Sequence, residues 1–295
     1  MTNIAKTMEH LHEKELKRLE LLANKLRQHV ITMVAQAKSG HQGGPLGMAD
    51  VFAVLYFHTL NHDPKNPAWE ERDRLILSNG HICPIRYAAM AEAAYFPVAE
   101  LMTLRKLGTR LQGHPERTKL PGSETTSGPL GSGLAQAVGL AYAGKMDKKS
   151  WRTYCVTGDG EHDEGIMWEA IHFAGKARLD NLVVIVDRNN IQIDGTTEDV
   201  MPLEPFSDKY RAFNWHVIEC NGNDIADVVR ALEESKSLHQ KPVVIMAHTV
   251  PGKGVSYMEN NYLWHSQPFK PGEAEKAMVE LKEIEQRLKS EHDAV

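Results

Sequence analysis

The 295-residue sequence lacks most of the features that mark secreted, membrane or nucleic-acid-binding proteins. Its three cysteines, Cys83, Cys155 and Cys220, are far apart and show no CxxC spacing, so neither a disulfide framework nor a cysteine-based metal site is expected. No cationic-then-apolar leader begins the chain, and no apolar run approaches about 18 residues. Lysine and arginine are scattered, and the formal net charge is −5. We therefore expect a cytoplasmic protein that binds neither membranes nor nucleic acids.

The second half of the sequence alternates apolar runs with segments of helical periodicity. The runs TYCVTG, NLVVIVD, WHVIEC and PVVIMAHT are typical of strands, and helices are predicted over 164–178 and 224–236. Nearly continuous Val and Ile in such runs indicates strands that are buried on both faces. The pattern predicts an α/β fold: a doubly wound, mostly parallel sheet with helices on both faces.

The ends of the chain are helical in pattern. Apolar residues recur at spacings of three and four over 8–36 and again over 271–292. Between them no linker or repeat divides the chain, and a long polar loop is predicted over 108–128. Loops of that length in a compact domain are usually functional or disordered. We expect a single domain over 1–295 that is complete rather than a cut fragment.

The turn GDGEHDEG, residues 158–165, follows a predicted strand and precedes a predicted helix. A dinucleotide-binding turn reads GxGxxG with small neutral neighbours, but here the third glycine is displaced to Gly165 and Asp159 faces the bound phosphates. Two like charges about 4 Å apart repel by about 4 kcal/mol at an effective dielectric near 20. A bare diphosphate is therefore disfavoured, whereas a diphosphate bridged by a divalent cation is compatible with the turn.

Further oxygen ligands for such a cation follow the next predicted strand. Gly160 and Asn189 are separated by 28 residues, and if the two strands are parallel neighbours, Asn189 lies beside Asp159. Asp159, Asn189 and the backbone carbonyl of Ile191 would then supply three of the six oxygens that Mg²⁺ prefers. The alternative is that Asp159 only caps a helix and that Asn189 only forms a turn.

Seven blocks of the sequence, taken in order, resemble the N-terminal, diphosphate-binding domain of transketolase. They are SGHQGGPLGMAD, LSNGH, GHPE, ETTSGPLGSGLAQAVG, GDGEHDEG, NNIQIDG and a late histidine after VPGKG. Together they extend from about residue 30 to about residue 270. The resemblance implies the thiamine diphosphate-binding fold, with thiamine diphosphate as cofactor and Mg²⁺, or Ca²⁺ or Mn²⁺ in its place.

The resemblance also implies roles for individual residues. It identifies Asp159, Asn189 and the Ile191 carbonyl as metal ligands. The implied cofactor contacts are His81, Gly128, Leu130, Asp159, Gly160, Glu164, Asn189, Ile193 and His265. Glu164 matches a glutamate of an acidic network that links two cofactor sites across a subunit interface. The implied catalytic set is His41, His114, His265 and Glu164, in which imidazole suits proton transfer near neutral pH.

The sequence departs from full transketolases in length. They continue for roughly as many residues again, through a pyrimidine-binding and a C-terminal domain, and the pyrimidine domain supplies the glutamate that activates the cofactor. We therefore expect the N-terminal subunit of a split transketolase, active on sugar phosphates only with a C-terminal subunit, as an α2β2 assembly. Gln42 replaces a commonly found proline, and we expect this change to adjust the shape of the loop.

Three alternatives stay open at this point. Another thiamine diphosphate-dependent transferase, of the deoxyxylulose-phosphate synthase or sulfosugar kind, would share the cofactor half. A nicotinamide dehydrogenase is disfavoured by Asp159 and by the displaced third glycine. A catalytically silent regulatory or assembly subunit would tolerate the loss of Asp159, whereas a catalytic subunit would not.

Overall fold

A parallel five-stranded sheet forms the centre of the protein. The computed structural model describes residues 3–293, with side chains over 13–291. The strands of this sheet are β1 (Arg74–Leu77), β2 (Thr153–Gly158), β3 (Leu182–Arg188), β6 (His216–Asn221) and β7 (Val243–His248). Their order is β1-β2-β3-β7-β6, and every pair is parallel. A separate two-stranded hairpin joins β4 (Ile191–Gln192) to β5 (Gly195–Thr196).

Ten α-helices surround the sheet within the described residues. They are α1 (Asn3–Ala37), α2 (Gly43–Gly47), α3 (Ala49–Val54), α4 (Cys83–Glu92), α5 (Ser132–Met146), α6 (Gly165–Ala177), α7 (Thr197–Val200), α8 (Phe206–Ala212), α9 (Ile225–Ser237) and α10 (Glu273–Asp293). Helix α3 continues into a π-helical turn, Leu55–Thr59, and short 3₁₀ helices lie at Gly80–Ile82, Val98–Thr103, Gly160–Asp163 and Tyr262–His265. No helix between residues 3 and 293 combines the length and apolar character needed to cross a membrane.

The sheet separates two hydrophobic cores. On one face, buried residues of α1, α3, α4, α9 and α10 pack against side chains such as Val183 and Ile245. On the other face, α5, α6 and α8 pack against their neighbours in the strands, Val184 and Val244. Because successive side chains of a strand point to opposite faces, the continuous Val and Ile runs supply both cores at once. The predicted doubly wound sheet with helices on both faces is confirmed.

The predicted elements occur in the predicted order, and two local details differ. The glycine-rich stretch after α1 interrupts the helix over 38–42, but a short helix begins again at Gly43. The backbone around Ile191, where no strand was predicted, forms the β4–β5 hairpin. A Cβ at Gly43 would lie 2.9 Å from the Trp264 carbonyl oxygen, so the glycine lets the His41 segment pack directly on the His265 segment.

Candidate active site

The carboxyl ends of β2 and β3 bring the acidic turn and the Asn-bearing segment together. In the parallel register Gly158 lies opposite Asp187. The amide of Asp159 donates to the Asp187 carbonyl oxygen at 3.2 Å, and the amide of Asn190 donates to Asp159 Oδ2 at 2.7 Å. The predicted adjacency of the two strand ends is therefore present, as expected where parallel strands terminate at one sheet edge.

Asp159 is a buried carboxylate that receives several hydrogen bonds. Its Oδ1 accepts from the Gly160 amide at 2.8 Å, and its Oδ2 also accepts from Arg188 Nη1 at 3.2 Å. Burial raises the pKa of Asp159 to about 6, against the opposing effect of Arg188. Arg188 itself bonds Thr197, Glu198 and Glu204. No motif in the sequence indicated this arginine, which connects the predicted metal ligand to the segment after the hairpin.

Asn189 and Asp187 form a second polar pair beside Asp159. Asn189 Nδ2 donates to Asp187 Oδ2 at 2.9 Å, and Asn189 Oδ1 accepts from the Ile191 amide at 3.0 Å. Asp187 also accepts from the Thr249 hydroxyl, and burial raises its pKa to about 7. The remaining lone pair of Asn189 Oδ1 is the one a cation would use. Within the described part of the chain no cluster of three His, Cys, Asp or Glu side chains forms a metal site, whereas the predicted set needs one carboxylate, one amide and one carbonyl.

The carboxyl ends of β2 and β3 line part of a cavity of about 450 Å³. Every residue to which the sequence assigned a role lines this cavity. They are His41, His81, His114, Gly128, Leu130, Asp159, Gly160, Glu164, Asn189, Ile191, Ile193 and His265. The lining residues differ in how far they are exposed: Asp159 is 1 % exposed, whereas Ile193, at the rim, is 62 % exposed. The structure brings the predicted residues together, and their individual roles stay predictions.

Three histidine rings that line the same cavity pack against one another. The ring centroids lie 4.9 Å apart for His41 and His81, 5.1 Å for His41 and His265, and 5.1 Å for His81 and His265. Burial lowers the pKa of His41 to about 3, lowers that of His81 well below its usual range and lowers that of His265. The pKa of His114 is lowered by burial and by Arg105. The rings are therefore neutral at pH 7, each with one donor and one acceptor nitrogen.

Two buried polar atoms on the cavity wall have no hydrogen-bond partner among the described residues. They are His41 Nδ1 and Asn79 Oδ1, and Asn79 is 1 % exposed. Buried polar atoms are nearly always hydrogen-bonded, so atoms of this kind on a cavity wall fit a polar ligand. In the acidic turn, a Cβ on Gly160 would lie 3.0 Å from Gln192 Cγ, so the turn packs closely against the Gln192 side chain. Both features fit a large cofactor with a polar ring and a phosphate tail.

The sequence missed several cavity residues. Glu161, Asp187 and Asn79 line the wall, but each lies one or two positions from a predicted residue and was not assigned a role of its own. Asp187 ends the run NLVVIVD, and a carboxylate at a strand end beside Asp159 could have been recognised from the parallel register alone. Glu161 carries no such signal, because two of its three hydrogen-bond donors come from segments that are distant in sequence.

A doubly wound sheet, an acidic turn at its carboxyl edge and a cavity lined by histidines together indicate the class of thiamine diphosphate-dependent enzymes. The thiamine diphosphate binding domain of transketolase matches residues 19–283. The chain belongs to the transketolase family. The predicted family, its α/β fold and its class of enzyme, a transferase, are confirmed.

Relatives of two lengths match this chain. It is 42 % identical to a 6-deoxy-6-sulfo-D-fructose transketolase subunit of Clostridium sp., over 89 % of this chain and 96 % of the relative. It is 39 % identical to one of the apulose-4-phosphate transketolase subunits of Phocaeicola vulgatus, over 95 % of this chain and 99 % of the relative. The crystal structure of Campylobacter jejuni transketolase is similar with a TM-score of 0.84 and 36 % identity, over 91 % of this chain and 42 % of that chain. The chain thus spans less than half of that transketolase.

Proposed function

We propose that this chain is the thiamine diphosphate-binding subunit of a two-chain transketolase, which transfers a two-carbon ketol unit from a ketose phosphate to an aldose acceptor. The support is the pattern of coverage: the chain spans 96 % and 99 % of two relatives named as subunits, but only 44 % of rat transketolase. A second chain would supply the remainder, and two copies of each would form the enzyme. The buried, unpaired cysteines suit a reducing, cytoplasmic location.

The composition of the cavity wall supports a divalent cation as part of the cofactor site. Among the described residues that line it there are five carboxylates and neither lysine nor arginine; the five are Asp159, Glu161, Asp163, Glu164 and Asp187. An anionic diphosphate placed among them without a counter-cation would be repelled. Magnesium held by Asp159, Asn189 and the Ile191 carbonyl would neutralise this repulsion, and oxygen ligands of this kind are those that Mg²⁺ or Ca²⁺ prefers. This is the single observation that carries the proposed cofactor site.

Three histidines that line the cavity, His41, His114 and His265, would act on the sugar. When bound, thiamine diphosphate supplies a nucleophilic carbon that adds to the ketose carbonyl and then accepts the electron pair as the carbon–carbon bond breaks. His41 and His265, neutral and packed edge to face, can each donate a hydrogen bond to a sugar oxygen or accept one from a hydroxyl. His114, on the exposed side of the cavity, would contact the sugar nearer to solvent. In these roles the histidines hold or move protons at the carbonyl and hydroxyl oxygens.

The function is tested by reconstitution. The purified chain, its proposed partner and an equimolar mixture of the two are assayed with thiamine diphosphate, Mg²⁺, xylulose 5-phosphate and an aldose phosphate. We expect ketol transfer from the mixture and none from either chain alone. Full activity of the single chain would refute the division between two subunits. Full activity of a mixture that contains Asp159→Ala would instead indicate a catalytically silent subunit.

The identity of the sugar has a second candidate because of the names of the relatives. The two relatives that this chain covers along most of their length are named for a sulfosugar and for a branched-sugar phosphate. The same reconstituted enzyme is therefore offered 6-deoxy-6-sulfofructose and apulose 4-phosphate as donors. A kcat/KM for either that exceeds that for xylulose 5-phosphate would replace the general pentose donor in the proposal.

A further inference from the structure

Glu161 is a buried carboxylate on the wall of the cavity, and it accepts three hydrogen bonds. Its side chain is 3 % exposed. Oε1 accepts from the Ser78 hydroxyl at 2.5 Å and from the Gly131 amide at 2.7 Å, while Oε2 accepts from the Gly158 amide at 3.0 Å. Among the described residues no lysine, arginine or histidine forms an ion pair with it. The carboxylate is therefore stabilised by hydrogen bonds from neutral donors alone.

The three donors belong to three different cavity segments. Ser78 follows β1 and precedes Asn79, whose Oδ1 has no partner among the described residues on the cavity wall. Gly131 closes the turn that carries Gly128 and Leu130, and Gly158 directly precedes Asp159. Glu161 therefore connects the segments that present most of the predicted cofactor contacts.

Two of these segments, those that carry Ser78 and Gly131, approach each other too closely for a side chain at Gly80 or Gly133. A Cβ on Gly80 would lie 2.5 Å from Ser127 Oγ, and one on Gly133 would lie 2.5 Å from Ser78 Cα. Contacts this short mean that backbone packs closely on the neighbouring segment, so the polar groups between the segments have little access to water. An apolar residue at position 161 would leave the Ser78, Gly131 and Gly158 donors without their acceptor, which is costly in a buried setting.

We propose that Glu161 is a positioning residue: it fixes the three segments relative to one another and so sets the affinity for thiamine diphosphate. This inference rests on the proposed cofactor. It differs from a general role in stability because the hydrogen bonds converge on the cavity rather than on the core. A group that only stabilised the fold would lower the melting temperature without a specific effect on the ligand.

Matched variants separate these two roles. Glu161→Gln retains an acceptor oxygen for Ser78 and Gly131 but presents an NH₂ group to the Gly158 amide, and Glu161→Ala removes all three acceptors. Ser78→Ala removes one donor. Asn24→Ala is the control, because buried Asn24 makes a hydrogen bond of 2.9 Å to the Leu281 carbonyl oxygen between α1 and α10, away from the cavity. Each variant, mixed with the proposed partner chain, is titrated with thiamine diphosphate in Mg²⁺ by calorimetry, and hydrogen exchange of the Gly131 and Gly158 amides is followed in the cofactor-free chain.

The expected results are graded. Glu161→Gln should weaken binding about 10-fold and speed exchange at Gly158 alone, whereas Glu161→Ala should weaken binding about 100-fold and speed exchange at both amides, a range typical of residues that orient ligand-binding groups. Ser78→Ala should fall between wild type and Glu161→Gln, and Asn24→Ala should lower the melting temperature without changing affinity. Unchanged affinity in Glu161→Gln and Ser78→Ala, or unchanged exchange in Glu161→Gln, would overturn the proposal even if Glu161→Ala did not fold. If the wild-type chain mixed with its partner does not bind the cofactor, the proposed function fails, and the exchange measurement still decides the role of Glu161.

Discussion

The carboxylates and the histidines that line the cavity are organised differently. Asp159, Glu161 and Asp187 each accept hydrogen bonds from the surrounding protein. The rings of His41, His81 and His265 contact one another, and His41 Nδ1 has no partner within the described residues. The carboxylates are thus held in place by the fold, whereas His41 keeps an unused nitrogen.

This difference separates two tasks. Hydrogen-bonded carboxylates in fixed positions suit the binding of a cation and a diphosphate, whose geometry does not change during a reaction. Neutral rings with free nitrogens suit a substrate whose oxygens gain and lose protons. We therefore expect changes of these carboxylates to affect cofactor affinity, and a change of His41, which is not among the predicted cofactor contacts, to affect turnover.

The largest effect is expected for Asp159→Ala. Loss of the only predicted carboxylate ligand should weaken Mg²⁺-dependent binding of thiamine diphosphate by more than about 100-fold, because even residues one layer behind a metal ligand contribute 10- to 100-fold. Calorimetric titration at fixed Mg²⁺ measures the effect, with Asp194→Ala, at an exposed position beside the hairpin, as control. Equal affinities for the two variants would contradict the assignment of the cation site.

A substitution of His41 should show the opposite pattern, with a loss of turnover and little change in cofactor affinity. In the assembled enzyme, His41→Gln should lower kcat about 100-fold, within the usual range for a general acid or base, and change cofactor affinity less than about threefold. Steady-state kinetics and cofactor titration give the two numbers, and exposed His239→Gln serves as control. If His41→Gln weakened cofactor binding and left kcat unchanged, the proposed division of roles between the carboxylates and His41 would be wrong.

Arg188 provides a smaller test of how Asp159 is oriented. Arg188 and the Asn190 amide both donate to Oδ2 of Asp159, whereas Oδ1 accepts only from the Gly160 amide and keeps a lone pair for a cation. Arg188→Met should therefore weaken Mg²⁺ binding about 10-fold through the loss of an orienting partner. Arg188→Lys keeps the charge but not the planar fork, and it should give an intermediate loss. Tighter Mg²⁺ binding by Arg188→Met would show that the charge of the arginine outweighs its orienting effect.

The pH dependence of stabilisation by Mg²⁺ gives the smallest effect. The folded-state pKa of Asp159, about 6, lies above its unfolded value, so its favourable contribution at low pH is lost as the pH rises from about 4 to about 6. Mg²⁺ binds the ionised form and offsets this loss, so the increase in melting temperature on adding Mg²⁺ should be about 3 °C larger at pH 8 than at pH 5. Thermal scans at both pH values measure it. An equal or larger increase at pH 5 would place the cation elsewhere.

The features that the sequence predicted well are local or periodic. The strands β2, β3, β6 and β7 follow from their continuous apolar runs, and the proximity of Asp159 to Asn189 follows from parallel pairing of β2 with β3. The glycines of the turn and the neighbouring Asp159 are contiguous in the chain, so their joint role could be argued from spacing alone.

The features that the sequence missed depend on tertiary contacts. Arg188 is the last residue of the buried strand β3, yet its partners Thr197, Glu198 and Glu204 come from the segment after β4 and β5. The packing of the three histidine rings brings together residues 41, 81 and 265, whose spacing contains no period. Here only the resemblance to transketolase, and not the residue pattern, indicated that they share one cavity.

The most direct test of the proposed cation site is a crystal structure of the protein with thiamine diphosphate and Ca²⁺, with the cation located by its anomalous signal at long wavelength. We expect one peak about 2.3–2.6 Å from an Asp159 carboxylate oxygen, the Asn189 amide oxygen and the Ile191 carbonyl oxygen, in contact with the diphosphate. A diphosphate bound without a cation beside Asp159, or a cation that touches neither Asp159 nor Asn189, would contradict the site.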